Sequence, residues 1–224
     1  DNFNSYYSSE LKFLRKQDLV NRFKANILEL DICEKTAVSN VISRFQPDSI
    51  FHLAAQPGIR LPLSKSQEYI RNNILGFSNV IESAVQSAIP NLLYASSSSV
   101  YGNSTQIPFS ESELGLKPIS LYGTTKLCNE ILAPVYVANS QTRARGMRFF
   151  TVYGPWGRPD MAYLRLVASA LTGNTFKLFG DGQVKRDFTY VSDIVEMISA
   201  LDKELVNQRS GYSDVVNIGG GNPY

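Results

Sequence analysis

Short apolar runs alternate with longer stretches of helical period along this chain, the pattern of parallel strands joined by crossover helices. Asn26–Leu30 predicts a buried strand, Glu34–Phe45 a helix closed by Gln46-Pro47-Asp48, and Ser49–Ala54 the next strand. Between Lys65 and Ala88, the positions Tyr69, Asn73, Phe77, Val80, Ile81 and Val85 recur near helical spacing, and Pro90 follows the end. Asn91–Ala95 predicts a third strand, Leu121–Val137 a helix bent late by Pro134, and Arg145–Phe150 a fourth strand. Beyond Pro155 the spacing loosens. Tyr163–Leu171 reads as helix, Phe176–Leu178 as a short extended piece, Ser192–Leu205 as helix and Val215–Ile218 as a last strand. The expectation is an α/β fold: a Rossmann-like parallel sheet with helices on both faces over residues 1–154, then a smaller, partial lobe over 155–224.

Composition narrows the classes. The chain has 224 residues, 43% of them hydrophobic, enough for a full core. A net charge of +2 argues against a nucleic-acid groove or a membrane-attracted face. Cys33 and Cys128 stand without metal-ligand spacing and His52 is the one histidine, so no metal site is expected and a reducing, cytoplasmic compartment is. The first residue is Asp1 rather than Met, and no G-x-G-x-x-G turn occurs. The first strand and Gly-rich turn of such a sheet are therefore expected outside this stretch.

Tyr122 and Lys126 lie four residues apart, one turn of a helix, so a phenol and an ammonium can share one substrate. About 0.5 such pairs are expected by chance here, which leaves a packed Tyr with a solvated Lys as the alternative. The run Asn91–Gly102 carries a buried strand straight into Ser96, Ser97, Ser98 and Ser99. Hydroxyls at a strand's carboxyl end lie where open α/β sheets bind ligands, the alternative being a plain Ser-rich loop. The strand around Phe51-His52 ends in small residues that let a flat cofactor approach, and His52 itself reads as packed core rather than catalyst.

With those residues in hand, the chain resembles the extended short-chain dehydrogenase/reductase family and, within it, the nucleotide-sugar 4-epimerases, with its closest likeness to those acting on UDP-glucuronate. Asp1-Asn2 resembles the end of the family's second strand, Asp31-Ile32 its adenine-contacting pair, and His52-Leu53-Ala54-Ala55 with Gln56 its fourth-strand signature. Asn72 and Phe149 fall beside the cofactor by this likeness, and Ser97, Tyr122 and Lys126 fall on its catalytic triad. Phe149–Ala162 resembles the UDP-glucuronate epimerase motif.

The resemblance implies NAD as cofactor, with Asp1 favouring it over NADP, and a reversible oxidation at C4 through a transient 4-keto sugar. It implies that Ser98, Ser99 and Thr151 bind the C5 carboxylate, that Arg186 holds the diphosphate and that Phe179 lies near the uracil. Arg158 is open between recognising the acid and forming a structural ion pair. Lys126 and a nicotinamide cation together are expected to pull the Tyr122 phenol down toward working pH. Galactose epimerisation, glucuronate decarboxylation and a ligand-binding fragment without activity are the other readings, although decarboxylases carry a Glu where this chain has Ser98-Ser99. The helices near 66–88 and 121–137 resemble the family's dimer pair, so a homodimer is a possible partner beside the UDP-sugar.

Overall fold

The computed structural model describes residues 1–58, 62–177 and 185–222. In chain order they form α1 (Ser9–Phe23), α2 (Lys35–Phe45), β1 (Ser49–His52) and α3 (Ser66–Tyr69). A π-helical stretch, Ile70–Leu75, joins α3 to α4 (Gly76–Gln86), followed by β2 (Asn91–Ser97), a 3₁₀ turn at Ser98–Tyr101 and α5 (Leu121–Val137). Then come β3 (Arg143–Phe149), β4 (Thr151–Tyr153), α6 (Ala162–Thr172), β5 (Phe188–Tyr190), α7 (Val191–Leu205) and β6 (Ser213–Ile218).

The main sheet is parallel throughout, in the order β1-β2-β3-β6, and β4 pairs with β5 in a small second sheet. Side chains alternate across a strand, so β2 serves two cores at once. Leu92 and Tyr94 pack with Val38, Phe77, Ile81 and Val137 under α2, α4 and α5. Leu93 faces the other way, with Met147, Ile218 and the α7 residues Ile194 and Leu205. Coverage on both faces explains why β2 reads as a nearly unbroken apolar run. In β3, Gly146 lies under the Tyr94 ring, where a Cβ would come within 2.7 Å of the hydroxyl oxygen.

Most predicted elements are present within a residue or two, and α5 has the bounds expected. Three readings need correction. Asn26–Leu30 joins no ladder: Leu30 donates to the Asp1 carbonyl and the Asp1 amine to that of Leu28, but no strand of the described residues lies alongside to complete a pair. Residues 155–224 are not one separate lobe, because α7 packs on the main sheet and β6 extends it beside β3. Phe176 and Lys177 have no regular structure, and Leu178 lies outside the described residues. α1 was not anticipated at all. Its Phe13, Leu14, Leu19 and Phe23 are exposed, so its apolar positions do not face the core whose periodicity reveals a helix. Ser8 caps it, accepting from the Leu11 amide, and Lys24 closes it in a left-handed conformation.

Candidate active site

β2 ends in Ser97, whose hydroxyl accepts from the Ser99 amide at 3.1 Å and turns the chain into the 3₁₀ segment. α5 begins beside it. Ser120 caps that helix by accepting from the Gly123 amide at 3.0 Å, and Gly123 has no Cβ, which would stand 2.6 Å from the Ser99 carbonyl oxygen. A close approach of helix to turn thus brings Tyr122 to the serines. One turn on, Lys126 is buried and donates to the Ala95 carbonyl at 2.8 Å, with its Nζ 5.8 Å from the centre of the Tyr122 ring. The triad expected at 97, 122 and 126 therefore converges at the carboxyl edge of the sheet.

The chain's own groups act on the Tyr122 phenol in opposing directions. Burial pushes the Tyr122 phenol up, and the Arg158 charge and a Ser97 hydrogen bond oppose that only in part, with Tyr69 adding to the rise. Lys126 is not among the groups that lower it. The ammonium, itself pushed down to about 8 by burial, is engaged with the sheet backbone. The cation that favours the phenolate comes from a different segment, 36 residues along the chain.

The remaining site residues divide clearly. Asp31 gathers Asn2, Cys33 and Arg71: burial raises its carboxyl, but the Cys33 amide at 2.9 Å, the Arg71 guanidinium at 3.2 Å and the Asn2 side chain outweigh it and hold it below the ordinary value. Asp1 is exposed next to this group, its carboxylate accepting from the Phe3 amide. The carbonyl of Ile32 accepts from the Asn79 side chain. Leu53 and Ala54 are exposed, Ala55 half-buried and Gln56 buried.

Asn72, placed beside the cofactor by the resemblance, donates its side-chain amide to the Glu68 carbonyl, and its neighbour makes the links between elements. Asn73 is buried, accepts from the Gln56 amide at 2.7 Å, and donates to the Gln56 carbonyl and to Thr125. It ties the segment after β1 to α5 one residue before Lys126. The helical periodicity of 65–88 marked Asn73 as inward-facing, which was the signal available.

Phe149 stands at the end of β3 but packs partly into the α7-side core. Ser98, Ser99 and Thr151 are half-buried at the same edge of the fold. Arg158 forms the ion pair weighed above, Nε to Asp160 Oδ1 at 3.0 Å, yet stays near enough to Tyr122 to act on it. Arg186 is exposed, donating to the Lys185 carbonyl, and no contact joins it to the triad. Phe179 lies outside the described residues. Among the described residues no group of His, Cys, Asp and Glu could hold a metal, and no helix is long and apolar enough to cross a membrane.

His52 is buried against Phe77, and burial, with the Lys126 charge adding to it, pushes its ring down to about 3 from an ordinary 6.5. The unfolded chain therefore binds this proton between those values while the folded chain does not. Stability from this group is complete above pH 6.5 and falls as pH drops toward 3, by about 2 kcal/mol at pH 5. Urea melts at pH 7 and pH 5 should show that loss, and a His52→Asn protein should show it reduced. An equal slope in both proteins would remove His52 as its source.

The NAD dependent epimerase/dehydratase family model matches residues 6–219. The chain belongs to that family. Curated relatives include Protein CapI of Staphylococcus aureus, 41% identical over 95% of this chain and 64% of its own length. UDP-glucuronate 4-epimerase 3 of Arabidopsis thaliana is 41% identical over 94% of this chain and 50% of its own. The chain thus spans roughly half to two-thirds of the curated family members it matches. Among solved structures of the family, the UDP-glucuronic acid 4-epimerase of Bacillus cereus in complex with UDP-glucuronic acid and NAD superposes with a TM-score of 0.87 at 33% identity. That match covers 100% of this chain and 69% of the other.

Proposed function

We propose that the protein is an NAD-dependent 4-epimerase of a UDP-sugar, interconverting UDP-glucuronate and UDP-galacturonate through a 4-keto sugar. The observation that carries this reading is the convergence of Ser97, Tyr122 and Lys126 at the sheet edge, beside the hydroxyls of Ser98, Ser99 and Thr151. The residues present suit a dinucleotide. Exposed small residues follow β1, Asp31 has an open carboxylate nearby, and Lys126 is a buried ammonium with one protein partner and two donors unassigned among the described residues. Lys126 and Asn72 would hold the nicotinamide end, Asp31, Ile32, Asp1 and Asn2 the adenosine end. When bound, NAD supplies a hydride acceptor and donor.

The chain's own groups handle the proton. Tyr122 takes it from the C4 hydroxyl, its anion favoured by Arg158, while Ser97 hydrogen-bonds the same oxygen. Ser98, Ser99 and Thr151 offer donors to the sugar carboxylate, and Arg186 is assigned to the diphosphate. The stretch 97–101 holds no carboxylate, which argues against dehydratase and decarboxylase chemistry. The exposed Leu75, Ile131 and Val135 near the α4–α5 pair support a homodimer there, and two cysteines outside any disulfide support a cytoplasmic enzyme.

The test is product chromatography after incubation with UDP-glucuronate and NAD. UDP-galacturonate is expected. A UDP-pentose would replace this reading with decarboxylation, and turnover of UDP-galactose alone would replace it with the neutral-sugar reaction.

A further inference from the structure

We propose that residues 4–15 form a clasp that fixes the turn carrying Arg158, making Tyr6 and Arg15 positioning residues for an acidic sugar. The inference rests on the UDP-uronate reading above and adds residues that no motif of the family resemblance included.

The clasp is a built unit. Lys12 is buried and donates to both the carbonyl and the side-chain oxygen of Asn4, at 2.7 and 2.8 Å. The rings of Phe3 and Phe13 stack with centroids 4.9 Å apart. Arg15 donates to the Tyr7 hydroxyl at 2.6 Å. These contacts fold the segment before α1 back onto the helix.

From that platform two side chains reach across the molecule. Arg15 Nη2 donates to the carbonyls of Trp156 and Gly157 at 2.6 and 3.1 Å, and the Tyr6 hydroxyl donates to Asp160 Oδ2 at 3.1 Å. Trp156 holds φ at +62°, a conformation unfavourable for a bulky side chain, so the turn needs support from outside itself. Arg15 gives that support at the strained residue. Tyr6 then orients Asp160, whose two oxygens grip Nε and Nη2 of Arg158.

A guanidinium has two usable edges. Asp160 occupies the Nε side and Met161 Sδ accepts from Nη2 at 3.5 Å, while Nη1 has no partner among the described residues, so a second carboxylate can be received at Nη1. The direction of that free edge is set by Asp160, and Asp160 by Tyr6. The position of the whole turn is set by Arg15. The Arg158 charge favours the Tyr122 phenolate, so the turn lies within electrostatic reach of that residue.

Arg15→Met and Tyr6→Phe, made in the full-length enzyme, test the clasp by two readouts. In Arg15→Met, amide hydrogen exchange across residues 156–161 should quicken and KM for UDP-glucuronate should rise roughly tenfold, whereas the inhibition constant of UDP, which has no sugar acid, should stay within about twofold. Tyr6→Phe removes one hydroxyl and should give a smaller change in the same sense, and it serves as the informative variant if Arg15→Met does not fold. Arg15→Lys should rescue only in part, since an ammonium cannot span two carbonyls and a phenol.

Unchanged exchange in Arg15→Met overturns the clasp. Faster exchange with equal losses for UDP and UDP-glucuronate overturns the positioning role and leaves a general structural one. If the unmodified enzyme neither binds nor turns over UDP-glucuronate, the proposed function fails, and exchange alone then decides whether the clasp exists.

Discussion

Tyr122→Phe should lower turnover of UDP-glucuronate by about 10²–10⁴-fold, the usual range for loss of a general acid or base. Substrate affinity should change little. The substitution removes one oxygen and keeps the ring, which stands 6.4 Å from the Tyr69 ring on a helix already fixed by the Ser120 cap. The fold therefore survives, and the loss reads on chemistry. Steady-state rates, with equilibrium binding of UDP-glucuronate as control, provide the measurement. Turnover above about a tenth of the unmodified rate would mean that another group takes the proton.

The pH profile gives an independent check. In the proposed mechanism the active form is the phenolate, and burial holds this phenol above its ordinary 10.0, so turnover should climb with pH on the alkaline side of neutrality. Arg158→Met deletes the charge that opposes burial, so the same limb should move to higher pH. A limb that does not move would detach Arg158 from the base.

The second large effect concerns stability. Arg148 and Glu130 are buried together, their side chains 4% and 5% exposed, joined at 2.8 and 3.0 Å between two pairs of atoms. Arg148 also donates to Tyr101, which donates to Asn217, and Ser96 donates to Glu130. One network thus ties β2, β3, α5, β6 and the 3₁₀ turn together, directly beneath Ser97 and one turn beyond Lys126. Glu130→Ala would strand a buried guanidinium, at a cost of about 3–5 kcal/mol. For a chain of this size that is a fall in Tm of roughly 6–20 °C. Replacing both partners, Glu130→Met with Arg148→Met, should recover much of the loss, because a paired apolar substitution leaves no charge without a partner. Thermal and urea melts of the three proteins decide the matter. A double variant less stable than Glu130→Ala alone would show that the ion pair itself, rather than the stranded charge, sets the stability.

What could be read from the chain depended on distance along it. The strand that ends in Ser97 and the helix that presents Tyr122 and Lys126 announce themselves within a few residues, since a period of 2 or of 3.6 is a local property. The whole sheet with its covering helices followed from those periods. The run 65–88 was equally legible as a helix whose period marked Asn73, the residue that bonds to Gln56 and Thr125, as inward-facing, but not the π-helical stretch inside it. A change of helical pitch turns neighbouring side chains past one another, and nothing in the residue types records it.

The sequence by itself determined the α/β class, the hydroxyl run at the end of a strand and the placing of Tyr122 and Lys126 one helical turn apart, because each is written in residues close together. Only the tertiary structure decided which of the chain's cations favours the phenolate, where the last strand inserts, and which turn α1 bonds to. Lys126 is adjacent in the chain but turned to the Ala95 carbonyl, whereas Arg158 arrives from a turn gripped by Tyr6, whose partner Asp160 lies 154 residues away. Charge acts through space and periodicity acts along the backbone, so the first could not be inferred from the second.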